Sequence, residues 1–400
     1  MLSVIQGLPC PDLENRLRDR IGNHHYPEDN LAVVVPSKEL RIHLRNRICR
    51  HWGLPSLGVH LLTAFGFARK TLEGTAETVP QPAPNEMLEA LISSVAARSS
   101  HQRLESMAQT RGGAAALRSA VGDLREALVP ADPDRLPSQD IAQLYAVFET
   151  ERRDRQLGVP ADTTALAARV VDESPFVDSL SEVLYYGFFD MTGVQLALLK
   201  VLAGAVPVRF LMPHIEGPAG EFGKRFLAEH LAPLADRVET SHAPDTAPPC
   251  RVIARRIFDP ASPSLAPDER PPLRIVSVSG TAGELGAAAK EISRLVGTED
   301  DLDFDDIALV ARSIEPYLPH LEKTFAEHHI PFRCSAAWDA DAFPPTKAVH
   351  ALVRVLEDDF GRADVTDLLR SPHFATKRFD IRPAWPAYWD ILARERAVIG

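Results

Sequence analysis

The first 70 residues alternate short apolar runs with amphipathic segments. The run Leu31–Pro36 is continuous and rich in β-branched side chains, which is typical of a strand buried on both faces of a parallel sheet. Ser37 can cap a following helix, in which apolar residues recur on one face at positions 40, 44 and 48. Residues 3–21 repeat the order of strand, loop and helix, and Val59–Thr63 adds another strand. The pattern therefore predicts a parallel α/β sheet.

The alternation of strand and helix patterns ends at Gly74, where a stretch rich in proline and small polar residues begins. After it, the pattern is helical almost throughout up to Arg169. Strand signals return at Glu182–Asp190 and Val206–Pro213, with a helical segment between them. We therefore predict a first α/β domain made of residues 1–73 and 171–245, which carries a helical insertion at residues 74–170.

A change of composition marks residues 246–272, which are rich in proline, alanine and aspartate and are predicted to be a linker. A second α/β domain is predicted at residues 273–342, because apolar runs at 273–279 and 307–311 alternate with helical segments. Residues 343–400 are helical in pattern. We expect them to be the incomplete start of an inserted helical subdomain.

Composition and charge narrow the possible functions. The chain has 400 residues and a formal net charge of −11, which argues against a surface that is basic throughout but is compatible with a local basic groove. No stretch approaches the ~20 apolar residues of a membrane span, and no leader pattern is visible. The cysteines and histidines lack metal-ligand spacing. We expect a cytoplasmic protein with no membrane partner, no metal and no cofactor.

The order of these segments resembles the early motifs of superfamily-one helicases of the UvrD type. Tyr185–Leu199 (YYGFFDMTGVQLALL) is similar to a segment of the B subunit of bacterial helicase-nucleases, the AddB family. Leu273–Phe332 resembles the second motor domain of that family, and Asp364–Pro372 resembles the start of its inserted helical subdomain. The resemblance covers nearly the whole chain and depends on order and spacing. It implies two RecA-like parallel-sheet domains, a fold like that of P-loop NTPases, with helical insertions.

The loop after the first predicted strand occupies the place of a phosphate-binding loop. Such a loop needs the pattern GxxxxGK(S/T), because its glycines let backbone amides surround the phosphates, its lysine neutralises them and its hydroxyl binds magnesium. Alignment on Gly7 places Asp12 at the second glycine, Leu13 at the lysine and Glu14 at the hydroxyl. This degenerate phosphate loop is predicted not to bind ATP.

A second acidic motif is degenerate as well. Active members of the family carry adjacent Asp and Glu at the end of a strand, where they hold magnesium and polarise the attacking water. This chain has Tyr186 and Gly187 there, and Asp190 lies three residues further on, away from the position that would face a metal. We therefore expect no ATPase activity from this chain.

Binding of single-stranded nucleic acid needs less than catalysis, namely polar groups at strand ends and aromatic rings on which bases stack. By the same resemblance, candidate DNA contacts are Ser37, Lys38, Arg41, Thr63, Phe65 and Arg312. Purely structural roles stay open for these residues, with Ser37 as a helix cap, Phe65 in the core and the arginines on a solvated face.

The resemblance implies a non-catalytic, helicase-like module that binds DNA, either single-stranded or at a duplex end, within a helicase-nuclease complex that acts in double-strand break repair and recombination. A partner subunit would provide ATP-driven translocation, and the PD-(D/E)XK nuclease of this family would lie well beyond position 400. The alternative is a small-molecule enzyme built on two α/β domains with a ligand cleft between them. Its nearest glycine-rich turn is Gly217–Gly223, in which Pro218 removes an amide that a phosphate cradle would use.

Overall fold

The structure is a computed structural model of the 400-residue chain. It describes residues 1–78, 81–99, 101–132, 136, 138–241, 253, 256–262, 273–299, 301–334, 344–357 and 359–396. The chain divides into two compact units, Met1–Leu273 and Arg274–Gly400. The predicted linker at residues 246–272 lies mostly outside the described residues.

The first unit is built on a six-stranded sheet in which all strands are parallel. The strands are β1 (Leu2–Gly7), β2 (Leu31–Val35), β3 (Val59–Thr63), β4 (Glu182–Tyr186), β5 (Val208–Pro213) and β6 (Arg237–Thr240). Their order across the sheet is β3-β2-β4-β5-β1-β6. The predicted parallel α/β sheet is thus confirmed, and β6 is a strand that the sequence pattern did not predict.

Helices cover both faces of this sheet. The helices of the first unit are α1 (Glu14–Gly22), α2 (Lys38–Asn46), α3 (Ala64–Leu72), α4 (Asn85–Ala97), α5 (Gln102–Ala108), α6 (Arg111–Glu126), α7 (Gln139–Asp154), α8 (Pro160–Arg169), α9 (Pro175–Asp178), α10 (Gly193–Ala205) and α11 (Glu221–Phe226). Val33 and Val35 of β2 face α1 and α2. Ala32 and Val34 face the layer that contains α3, α8 and α10. Because every β2 side chain is buried, the strand is apolar throughout instead of alternating.

The helical insertion has its own core, formed by α4, α5, α6 and α7. Helix α8 lies within the predicted insertion at residues 74–170 but packs with the helices that cover the sheet, so the helical insertion means α4–α7 from here on. A cluster of charged side chains joins the insertion to α8: the Arg152 guanidinium lies 3.0 Å from the Glu149 carboxylate and 2.7 Å from the Asp162 carboxylate, and Arg125 pairs with both acids. Arg152 and Glu149 are nearly inaccessible to solvent, so the cluster holds α6, α7 and α8 together through buried ion pairs.

The second unit is helical in its described residues. Its helices are α12 (Gly280–Thr298), α13 (Leu318–Glu327), α14 (Pro344–Glu357), α15 (Arg362–Arg370) and α16 (Trp385–Glu395). Leu285 and Ile292 of α12 pack against Leu321 and Phe325 of α13. None of the described helices of either unit is long and apolar enough to cross a membrane.

The strands predicted at residues 273–279 and 307–311 are not formed, which corrects that part of the interpretation. Both segments are described, and neither pairs with a strand in the part of the chain that the structure describes. Ile275 is 87% exposed and Val310 is 86% exposed. The runs have the β-branched composition of strands, but a strand also needs a neighbour to take its backbone hydrogen bonds.

Candidate nucleic-acid interface

The carboxyl ends of the six parallel strands lie along one edge of the sheet, which is where open α/β sheets bind their ligands. The loops after β1 and β4 form what we call the closed half of this edge. The loops after β2 and β3 form the open half. From the strand order and a spacing of about 4.8 Å, the ends of β1 and β2 lie roughly 14 Å apart.

In the closed half, the degenerate phosphate loop is folded onto itself. The Leu8 amide donates to the Asp12 carboxylate over 3.3 Å, and the Leu13 amide donates to the Leu8 carbonyl over 3.0 Å. The Leu13 side chain is fully buried among the apolar residues of α1 and the sheet. A Cβ atom on Gly7 would lie 3.1 Å from Leu13 and 3.3 Å from Asp12. The loop's own side chains therefore fill the space above Gly7.

Tyr186 lies against this loop from β4. Its hydroxyl donates to the Pro9 carbonyl over 3.4 Å, and its ring is buried in the same apolar cluster as Leu13. Burial raises the pKa of Tyr186 to about 12, so the hydroxyl stays protonated and can donate at neutral pH. Glu14, at the position of the magnesium-binding hydroxyl, accepts a hydrogen bond from Arg47 over 2.7 Å. Its carboxylate is thus held by a guanidinium of the chain itself.

Gly187, the other residue of the degenerate acidic motif, makes room for α2. It has a φ of +84°, a value that favours glycine, and a Cβ atom there would lie 2.8 Å from Leu40. A carboxylate-bearing residue at this position would be strained by the positive φ and would have to displace the Leu40 side chain. Asp190 is exposed to solvent and forms no ion pair with a described residue. Tyr186 and Gly187, the two positions of the degenerate acidic motif, therefore have structural roles.

In the open half, two helices begin side by side. Val35 at the end of β2 pairs with Thr63 at the end of β3. The Ser37 hydroxyl accepts from the Leu40 amide and the Thr63 hydroxyl accepts from the Gly66 amide, each over 3.1 Å. Both side chains are therefore helix caps, as expected for Ser37. The remaining first amides of α2 and α3 have no partner within their helices, and a helix N-terminus of this kind can bind an anion.

A basic stripe, which we define as Lys38, Arg41 and Arg45, runs along α2 from this edge. These residues are spaced by three and four positions, so they share one face of the helix. None of the three forms an ion pair with a described residue, whereas Arg47 nearby is bound to Glu14. Residues 37–52 contain five arginine and lysine residues and a single acidic one. This part of an otherwise acidic chain is locally positive.

The remaining candidate contacts are placed differently. Phe65 lies in the first turn of α3, is partly exposed and belongs to none of the apolar clusters of the described residues. The structure thus brings Phe65 to the same edge as Ser37 and the basic stripe. Arg312 belongs to the second unit, where it is exposed and forms no ion pair with a described residue.

A cavity of about 240 Å³ lies next to the ends of β1 and β5, and the sequence pattern did not predict it. Gln6, His214 and Lys224 supply its polar lining, together with part of the glycine-rich turn that begins at Gly217. Burial, with help from Lys224, lowers the pKa of His214, which keeps its imidazole neutral near neutral pH. No group of metal-ligating side chains occurs among the described residues. The cavity has polar lining residues but no paired acid and base.

Comparison with known proteins adds no family assignment. No family model matches the chain, and no curated protein matches its sequence.

Proposed function

We propose that this chain is a non-catalytic, helicase-like module that binds single-stranded DNA at the open half of the sheet edge. It would form part of an AddB-type subunit, in which the six-stranded unit would be a RecA-like domain, in a helicase-nuclease complex that acts in double-strand break repair and recombination. A partner subunit would supply ATP-driven translocation. The assignment to this family rests on the order of the sequence motifs.

The basic stripe carries the DNA-binding part of the proposal. Lys38, Arg41 and Arg45 have no intramolecular partners among the described residues and start at the point where two helix N-termini meet. A polyanionic backbone neutralises such charges and receives hydrogen bonds from the helix amides. Phe65 adds an aromatic ring on which a base can stack.

The closed half supports the non-catalytic part. ATP binding would need the volume that Asp12, Leu13 and Tyr186 occupy, and Leu13 and Tyr186 are also part of the core. An unpaired lysine at position 13 would be buried, which is unfavourable unless a phosphate is present to pair with it. The loop therefore has a packing role instead of a phosphate-binding one.

The test is fluorescence anisotropy of a labelled thymidine oligonucleotide over a salt series. We expect the Lys38→Glu/Arg41→Glu/Arg45→Glu variant to lose on the order of hundredfold in affinity at low salt, with a shallower salt dependence. The matched control reverses three exposed charges elsewhere, Arg103→Glu/Lys200→Glu/Lys323→Glu, and should bind almost as the unmodified chain does. Equal affinity of the two variants would contradict the proposal.

A second experiment separates this function from the small-molecule alternative. Thermal denaturation with a non-hydrolysable ATP analogue should leave the melting temperature unchanged, because the phosphate loop is filled. A saturable rise in melting temperature with the nucleotide, without oligonucleotide binding, would favour an enzyme that uses the cavity near His214 and Lys224.

A further inference from the structure

Helix α16 in the second unit carries three aromatic side chains on one exposed face. Trp385, Tyr388 and Trp389 are spaced by three and four residues, which places them within about 100° of the helix circumference. All three are exposed, and Tyr388 is 58% accessible to solvent. The other side of the helix buries Pro386 and Asp390. Large aromatic side chains that are left exposed in this way mark an interaction surface.

The turn before α16 extends the aromatic character of this segment. Phe379 is 64% exposed, and its ring stacks on Phe374 with the centroids 5.8 Å apart and the planes at 7°. The Arg382 guanidinium lies 5.6 Å from the centre of the Trp385 ring, in a cation–π contact. We call Lys377, Arg378, Phe379, Arg382, Trp385, Tyr388 and Trp389 the aromatic-basic surface.

The charge of this surface is positive. Lys377, Arg378 and Arg382 are exposed and form no ion pair with a described residue, and Asp380 is the sole acidic residue between positions 371 and 389. The arginines on the other side of α16 are used differently. Arg394 lies 2.9 Å from the buried Asp390 carboxylate, and Arg362 of α15 binds the same group. Arg362 and Arg394 thus anchor the helix, whereas the three cations of the aromatic-basic surface face solvent.

We propose that the aromatic-basic surface is a second binding site for single-stranded nucleic acid, at which bases stack on Tyr388, Trp389 and Phe379. Lys377 and Arg378 neutralise the backbone phosphates. Exposed rings together with unpaired cations are the two features that sequence-tolerant single-strand binding requires. The ligand class is that of the proposed function, but the residues are separate from those of the basic stripe, so each site can fail independently.

Intrinsic fluorescence reports on this site directly, because two of the four tryptophans of the chain lie on it. Titration of the full chain with a thymidine oligonucleotide should quench tryptophan emission, since stacking on a base quenches an indole. Heparin, a polyanion without bases, should compete for the charges without quenching. An oligonucleotide that binds without quenching, or equal quenching by heparin, would overturn the proposal.

Variants assign the signal to residues. Tyr388→Ala/Trp389→Ala should lower oligonucleotide affinity about tenfold or more and remove most of the quenching, while the conservative Trp389→Phe keeps the affinity. Trp52→Phe, in the first unit, is the matched control and should keep both the oligonucleotide affinity and the quenching. A Tyr388→Ala/Trp389→Ala variant that binds and is quenched like the unmodified chain would contradict this second site alone. The charge reversal of the basic stripe tests the proposed function separately and should leave the quenching amplitude at saturation intact.

Discussion

The closed and open halves of the sheet edge have the same architecture and different side chains. Each strand there ends in a short loop that leads to a helix, yet the loop after β1 is filled by Asp12 and Leu13 and covered by Tyr186. The loop after β2 ends in a capped helix with unpaired cations. A parallel sheet offers several possible sites along one edge, and the side chains in each loop decide which of them can still take a ligand.

Restoring the missing lysine should have the largest effect on this comparison. Leu13→Lys places an ammonium group at a position with no solvent access, and we expect it to lower the free energy of unfolding by about 4 kcal/mol or more. Chemical denaturation measures the change. Leu13→Met, which conserves volume, should cost less than about 1.5 kcal/mol.

If Leu13→Lys instead folds with unchanged stability and gains ATP binding, the closed half is a latent nucleotide site. The contrast between a closed and an open half is then wrong.

Gly187→Ala should disturb the contact between the loop after β4, in the closed half, and helix α2, in the open half. The added Cβ would meet Leu40 at 2.8 Å in a backbone conformation that disfavours side chains. We expect a loss of about 2–3 kcal/mol in the free energy of unfolding. The double variant Gly187→Ala/Leu40→Ala removes the clash but also an apolar contact. If the Leu40 side chain causes the strain, the double variant should lose less stability than the sum of the losses of the two single variants. Strictly additive losses would argue against the Leu40 contact.

Removal of the Tyr186 hydroxyl should have a smaller effect on the closed half. Tyr186→Phe leaves the ring in its apolar cluster and deletes the donor to the Pro9 carbonyl. A cost of about 1 kcal/mol is expected from a single neutral hydrogen bond, measured by urea denaturation. DNA affinity should not change, because the open half keeps all its groups, and a parallel loss of affinity would show that the two halves are coupled.

Neutralising one cation of the open half should give the smallest effect. Lys38→Gln is expected to leave stability within about 0.5 kcal/mol, since the side chain is exposed and forms no ion pair with a described residue. The slope of log affinity against log salt should become shallower by about 0.7. The anisotropy series measures it, with Lys200→Gln on α10 as control. An unchanged slope would remove Lys38 from the interface.

Much of the first unit follows from hydrophobic pattern alone. Strands β1, β2, β4 and β5 are mostly apolar and buried, so composition and burial agree, and β3, at the edge of the sheet, is half-buried. Strand β6, with the sequence RVET, is exposed at the sheet edge and owes its strand conformation to pairing with β1, which no local pattern reveals. The segments 273–279 and 307–311 show the converse, because they have strand composition but no neighbouring strand among the described residues.

The candidate site also has features that the local sequence predicts and features that it does not. Capping by Ser37 is local in sequence and was predictable, and the lost phosphate loop could be read from Leu13 and Glu14. The contact of Tyr186 with Pro9 and that of Leu40 with Gly187 join residues far apart in the chain. They depend on how the strands are ordered, which the sequence pattern leaves open. Contact of the open half with DNA stays a prediction.

The buried charge cluster of Arg125, Glu149, Arg152 and Asp162 has a mechanical consequence. Because it ties α6 and α7 to α8, and α8 packs on the sheet, the helical insertion cannot swing without separating buried charges. Rotation of α4–α7 away from α8 would separate Arg125 and Arg152 from the Asp162 carboxylate, so the cluster couples the orientation of the insertion to the sheet.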